Sequence, residues 1–228
     1  MANLQHLTLL QIGALAWNDW RRKNPQIEPD LRDAELNGAN LYRANLIKAN
    51  LTAANFSVAN LSAATLTQAD LSHANLIGAD LTEANLKGAF LCEANLIGTE
   101  LKGANLRDAD LGHAKLIRAN LCFANLIAAN LIAADLSKAN LYEAEVIGAY
   151  LYKADLYKAN LRQAHLSGAY LLRANLSEAD LSKADLRWTN LQGANLAGAN
   201  LRGAKLEGAK LRGANLNGVD FQDTVIPE

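Results

Sequence analysis

From Leu31 onward every fifth residue is large and apolar. Leu fills 36 of the 39 positions from 31 to 221, with Phe56, Val146 and Phe221 as the exceptions. Two residues before each stands Ala, in 35 of the 39 positions from 34 to 224; Thr99, Thr189, Val219 and Thr224 break the rule. Asn or Asp lies between them at 27 of the 39 positions from 35 to 225. The unit reads Ala-(Asn/Asp)-Leu-x-x, with no insertion or deletion.

A period of five fits no ordinary element. On an α-helix five residues advance by roughly 140°, so Leu would spiral round every face. A heptad seam fails for the same reason. On one long strand, positions five apart alternate faces and half the Leu would meet water. The pattern works if the chain turns a corner every five residues. Ala and Leu then point to one side of a short extended segment, and the remaining pair makes the corner. Thirteen of the 15 Gly fall at the second residue after Leu, where a tight corner often needs positive φ. Asn and Asp side chains can bond nearby backbone amides. All three Pro (Pro25, Pro29, Pro227) stand outside the uninterrupted repeat, as a backbone that uses its donors in every coil requires.

The variable positions count the corners. Ile77, Ile97 and Ile117 are twenty apart, as are Tyr150 and Tyr170, and Gly198 and Gly218. Like residues at that spacing are expected where they stack in ladders, so four segments make a square coil. About ten coils follow, and at ~4.8 Å per coil the rod is about 45–50 Å long. The interior is expected to hold Leu31, Phe56, Ala104, Leu106, Ala124, Val146 and Phe221.

This unit resembles the pentapeptide-repeat family, over nearly all of residues 31–226. The resemblance implies an all-β solenoid, a right-handed quadrilateral β-helix with Leu or Phe inward and a small residue two before it. The opening segment, with Trp17-Asn18-Asp19-Trp20-Arg21 leading into Pro29-Asp30-Leu31, is similar to that of cyanobacterial members. The expected organisation is residues 1–29 as a capping helix and linker, and residues 30–228 as the β-helix.

Residues 4–22 read as one helix. Leu4, Leu7, Leu10, Ala14 and Trp17 form a stripe that Ile12, Leu15 and Trp20 widen. Arg21, Arg22 and Lys23 suit its C-terminal dipole, and Asn24-Pro25 stops it. The expected role is an N-terminal α-helical cap over the first coil, packed through Leu7, Leu10, Trp17 and Trp20. A membrane-surface helix is disfavoured because the polar face is poor in Lys and Arg. A signal peptide is disfavoured because no basic residue precedes the apolar stretch and Gln11 interrupts it.

Composition narrows the chemistry. Leu and Ala supply 85 of 228 residues, while only 6% are aromatic. Net charge is −1, which lacks the basic footprint of a nucleic-acid binder. No run of 18 apolar residues exists to span a membrane. A stack of Leu and Ala leaves no pocket of convergent polar groups, so no catalysis and no cofactor are expected. His73, Glu93 and His113 form a column, but coils ~4.8 Å apart put the two His about 10 Å apart. One metal with bonds of about 2 Å cannot join them. His165 stands alone, and His6 falls on the cap helix. Cys92 and Cys122 lie six segments apart, on opposite faces, so no disulfide joins them. Free thiols suit a reducing, cytoplasmic setting.

Function must then lie on the outer faces. The leading expectation is a rigid rod acting as a protein-interaction or scaffold module, with a protein partner, no nucleic acid and no membrane. The candidate patch is Tyr150, Tyr170, Ile132, Tyr152 and Leu172 on one side, with Tyr157 round the corner. Exposed aromatics often mark interfaces, although stacked rings can also simply stabilise adjacent coils. Ile77, Ile97 and Ile117 are a weaker candidate, and Trp188 reads as local packing or a partner anchor. The alternative is a DNA mimic, since some pentapeptide-repeat proteins bind type II topoisomerases by imitating the duplex. It requires a strong negative field, and the repeat carries 19 basic and 20 acidic residues. Ice binding is rejected because Thr52, Thr67 and Thr82 stand on different faces. At the far end nothing comparable to the cap follows Phe221. Either the tail plugs the last coil or two chains meet end to end as a homodimer through Val225 and Phe221, a mode the family resemblance favours.

Overall fold

The computed structural model describes residues 2–224. Its rod is built from single parallel bridges, each joining residue i to residue i+20, from Asp30↔Asn50 to Asn200↔Asp220. The coil therefore holds twenty residues on four sides, and the architecture is a right-handed quadrilateral β-helix. Each face is named by its central column: the first by Leu31, Leu51 and onward to Leu211, the second from Leu36, the third from Leu41, the fourth from Leu46.

Local chemistry explains the regularity. In each segment the Ala N–H donates to the carbonyl three residues back, as in Ala104 to Leu101 at 3.0 Å. The residue before each Ala has φ between 51° and 72° at every corner from 33 to 223. That combination is the signature of a type II turn. Two thirds of these corner residues are not glycine. A left-handed side-chain-bearing residue is strained by about 1–3 kcal/mol. The strain persists because the corner N–H groups from Asp33 to Gly203 are held by the next coil, as in His73 to the Cys92 carbonyl at 2.9 Å. The Asn and Asp side chains also bond as expected. Asn50 Oδ1 accepts from the Thr52 N–H at 3.2 Å, closing its own turn. Many bond along the ladder too, as Asn130 Nδ2 does to Asp110 Oδ1 at 2.8 Å.

Every repeat Leu from Leu31 to Leu206 is buried, and so are Phe56 and Val146. Ala104, Leu106 and Ala124 have no exposure at all. Where Thr replaces Ala, the buried hydroxyl finds an acceptor: Thr99 Oγ1 donates to the Leu76 carbonyl at 2.8 Å, and Thr189 Oγ1 to that of Leu186 at 2.7 Å. Phe221 differs from expectation in degree. It is only half-buried, with Leu211 and Leu216, because no described coil lies above them. Val225, invoked for the end-to-end contact, lies outside the described residues.

The cap is two helices rather than one. α1 spans Leu4–Ile12 and α2 spans Ala14–Lys23, separated at Gly13, whose φ of 128° and ψ of 164° break the helix. The break turns the expected stripe. Leu10 and Trp17 are buried and Leu7 and Trp20 pack against the core, but Leu4, Ile12 and Leu15 face outward. Polar contacts also join lid to rod. Trp17 Nε1 donates to the Asn45 carbonyl at 2.7 Å, and the Asn45 N–H donates to Asn18 Oδ1 at 2.8 Å. Arg21, expected only to suit the helix dipole, is buried, and its guanidinium donates to the carbonyls of Ile27 and Ile47. Burial lowers its pKa. His6 is buried beside Trp17 and Trp20, and its Nδ1 accepts the Asp30 N–H at 3.1 Å. These groups satisfy bottom-edge backbone that would otherwise be open.

Candidate interaction surface

The first face carries the expected aromatic patch. Tyr150 and Tyr170 are bridged neighbours, so their side chains leave the same side one coil apart. Their rings stack at 5.1 Å and 6°, and they are 46% and 48% exposed. Ile132, Tyr152 and Leu172 form the parallel column and are half-buried. Lys153 Nζ lies 5.2 Å over the Tyr152 ring. Tyr157 belongs elsewhere: on the second face its hydroxyl donates to Glu178 at 3.3 Å and Lys158 covers its ring at 5.0 Å. The Ile77, Ile97 and Ile117 ladder stands on that same second face.

Beside the Tyr column runs a corner built from Ala128, Gly148 and Gly168. A Cβ added to either Gly would meet nothing within 4 Å, so an open ledge flanks the rings. Trp188 stands next in that column, 71% exposed, with its ring over Gly208; a Cβ there would fall 2.3 Å from Trp188 Cε3. Phe90, half exposed, lies in the Tyr column lower on the face. Reading the sequence in twenty-residue columns for aromatic rings would have found it.

The remaining polar candidates fall into small pairs. His73 Nδ1 is 3.5 Å from Glu93, while His113 has no such partner among the described residues. His165, expected to stand alone, is 2.7 Å from Glu145 Oε1, because the two are twenty apart in one ladder. Asp30 is held down to about 2 by the hydrogen bonds from Arg32, and Asp185 is lowered by those from Arg187. Cys92 and Cys122 are free, and burial is the main cause raising both thiols. Among the described residues no three His, Cys, Asp or Glu gather as a metal-ligand set. No described helix is long and apolar enough to cross a membrane. A depression at the lid break is lined by Leu10, Ile12, Gly13, Leu15, Leu36 and Tyr42, together with the carboxylate of Glu35.

The family model for pentapeptide repeats matches eight times, with copies running from residues 30–62 to residues 184–223. The chain belongs to the pentapeptide-repeat family. Its rod is similar to that of HetL, a pentapeptide-repeat protein involved in heterocyst differentiation regulation in the cyanobacterium Nostoc sp. strain PCC 7120. Identity is 38%, over 92% of this chain and 96% of HetL, with a TM-score of 0.86. Full-length QnrB1, a plasmid-mediated fluoroquinolone resistance protein, shares the fold at 17% identity and a TM-score of 0.56, over 72% of this chain and 86% of QnrB1. No curated protein matches the chain. Two of every five positions in a pentapeptide-repeat protein are dictated by its interior.

Proposed function

We propose that this pentapeptide-repeat protein is a non-catalytic rigid rod that works as a cytoplasmic protein-interaction or scaffold module. The observation that carries the reading is the stacked Tyr150–Tyr170 pair, nearly half exposed on a flat face of a rod whose interior is filled. Stacked rings and half-buried Ile132, Tyr152 and Leu172 offer a rigid amphipathic contact area with little ordering cost. The similarity over almost the whole of both chains to HetL, a protein involved in differentiation regulation, supports a role in regulation. The two free thiols support the cytoplasmic setting. A DNA mimic is the weaker reading, since the likeness to QnrB1 is one of fold and the chain's charge is nearly balanced.

The test is affinity capture from source-cell extract with wild type and with Tyr150, Tyr152 and Tyr170 changed to Lys. Loss of one specific partner is the expected result. An unchanged set of captured proteins, or stoichiometric binding of a nucleotide or metal ion by the purified rod, overturns the reading. A second copy is proposed at the far end, where Leu211, Leu216 and Phe221 are half-buried. Light scattering should then give twice 24.5 kDa, reverting on Val225→Asp.

A further inference from the structure

The Tyr patch sits inside a charge pattern that narrows its partner. In the lower half of the first face, Asp30, Asp70 and Asp110 point outward, and Asp33 and Glu93 stand at its corner. From residue 130 upward the face and that corner carry Lys153, Arg173, Lys210 and Arg212 and no carboxylate. None of these four cations has a carboxylate at ion-pair distance among the described residues. Their counterparts on the third face, Arg162 and Arg202, approach Asp180 and Asp220 at 3.9 and 3.8 Å. A chain of net charge −1 thus gathers cations with no described ion-pair partner on the half of the face that holds its stacked aromatic pair.

Building on the interaction-rod reading, we propose that the upper half of the first face docks an acidic segment of a partner protein. The segment lies along the rod axis, its carboxylates on the cations and its apolar side chains on the Tyr150 ledge. Lys153 and Arg173 are one coil apart, and Arg212 is two coils beyond. At ~4.8 Å per coil the row spans about 14 Å, which an extended segment covers with about four or five residues. Gly148 and Gly168 leave the approach to the Tyr rings clear, and Trp188 closes its upper end. Single-stranded nucleic acid fits less well. It binds by base stacking on aromatic faces, and Tyr150 and Tyr170 are already stacked on each other at 5.1 Å, with no gap for a base.

The probes are a fluorescent peptide of alternating glutamate and leucine, its glutamine counterpart and a labelled oligothymidine, followed by anisotropy with the full chain. The acidic peptide should bind, weaken with added salt, and lose about tenfold in affinity on K153E/R173E. K87E/K138E makes the same change in net charge on other faces and should leave binding unchanged. Equal loss from both double variants, tighter binding of the glutamine peptide, or binding of oligothymidine instead overturns the proposal. If K153E/R173E retains the captured partner that the Tyr variants lose, the acidic segment falls and the rod reading stands. If neither set of variants alters capture, the rod reading falls with it.

Discussion

Leu106→Ala is the sharpest probe of the interior. Leu106 and Ala104 have no exposure, and the backbone around them is tied to the next coil. The Leu106 N–H donates to the Asn125 carbonyl at 2.7 Å, and the Asn125 N–H to the Ala104 carbonyl at 2.9 Å. Removing three carbons forfeits about 2.4 kcal/mol of transfer free energy at ~0.8 kcal/mol each. A cavity term is added because the tied coil cannot collapse into the space. The expected cost is about 3–5 kcal/mol, in the upper part of the range for such changes. With a slope of roughly 2 kcal/mol per molar urea, the midpoint should fall by about 1.5–2.5 M. Leu216 is a built-in control. It is half-buried at the last described coil, so Leu216→Ala should cost less than half as much. Urea unfolding is followed by far-ultraviolet circular dichroism for the rod and by fluorescence for Trp17 and Trp20 in the lid. A midpoint for Leu106→Ala within about 0.5 M of wild type, or a Leu216→Ala cost equal to it, refutes a tightly packed, stack-dependent core.

Three further outcomes are expected. Ala124→Leu should destabilise by at least the ~1–3 kcal/mol usual for overpacking, because the Ala124 carbonyl is fixed by the Glu145 N–H at 2.9 Å; an unaltered thermal melt would show spare interior volume. Asp30 and Asp185 have lowered folded-state pKa values, so their contribution is present above the ordinary carboxylate value of 3.8; that of Asp30 is lost as pH falls toward about 2, and that of Asp185 as pH falls through its own lowered value. Acid titration of stability should therefore be shallower in Asp30→Asn and Asp185→Asn than in wild type, and identical profiles would refute the assignment. Burial raises both thiols, so Cys92 and Cys122 should alkylate more slowly than a free thiol at neutral pH and accelerate in alkali; immediate stoichiometric labelling would contradict this.

The coil was legible in the sequence because its information is local and repeated. A five-residue period without insertion leaves one way to bury Leu and Ala together, and twenty-residue ladders count the sides. The buried columns of Leu31, Phe56 and Val146 follow directly. Tertiary structure decided what the pattern does not encode. Gly13 lies within a stripe that fits one helix, and only packing on the first coil shows that two helices meet there. Arg21 looks like a solvated helix end, yet the open carbonyls of Ile27 and Ile47 draw it inside. Corner positions tolerate side chains at positive φ because neighbouring coils hold them, a cooperative effect invisible in any single unit. The surface shows the same division. Tyr150 and Tyr170 could be paired from their spacing, but their ring geometry, and the absence of a described carboxylate at ion-pair distance from Lys153 and Arg173, depend on side chains from separate coils meeting in space. The core repeats one physical requirement thirty-nine times, whereas each outward position is free to vary, so only the folded stack turns those positions into a surface.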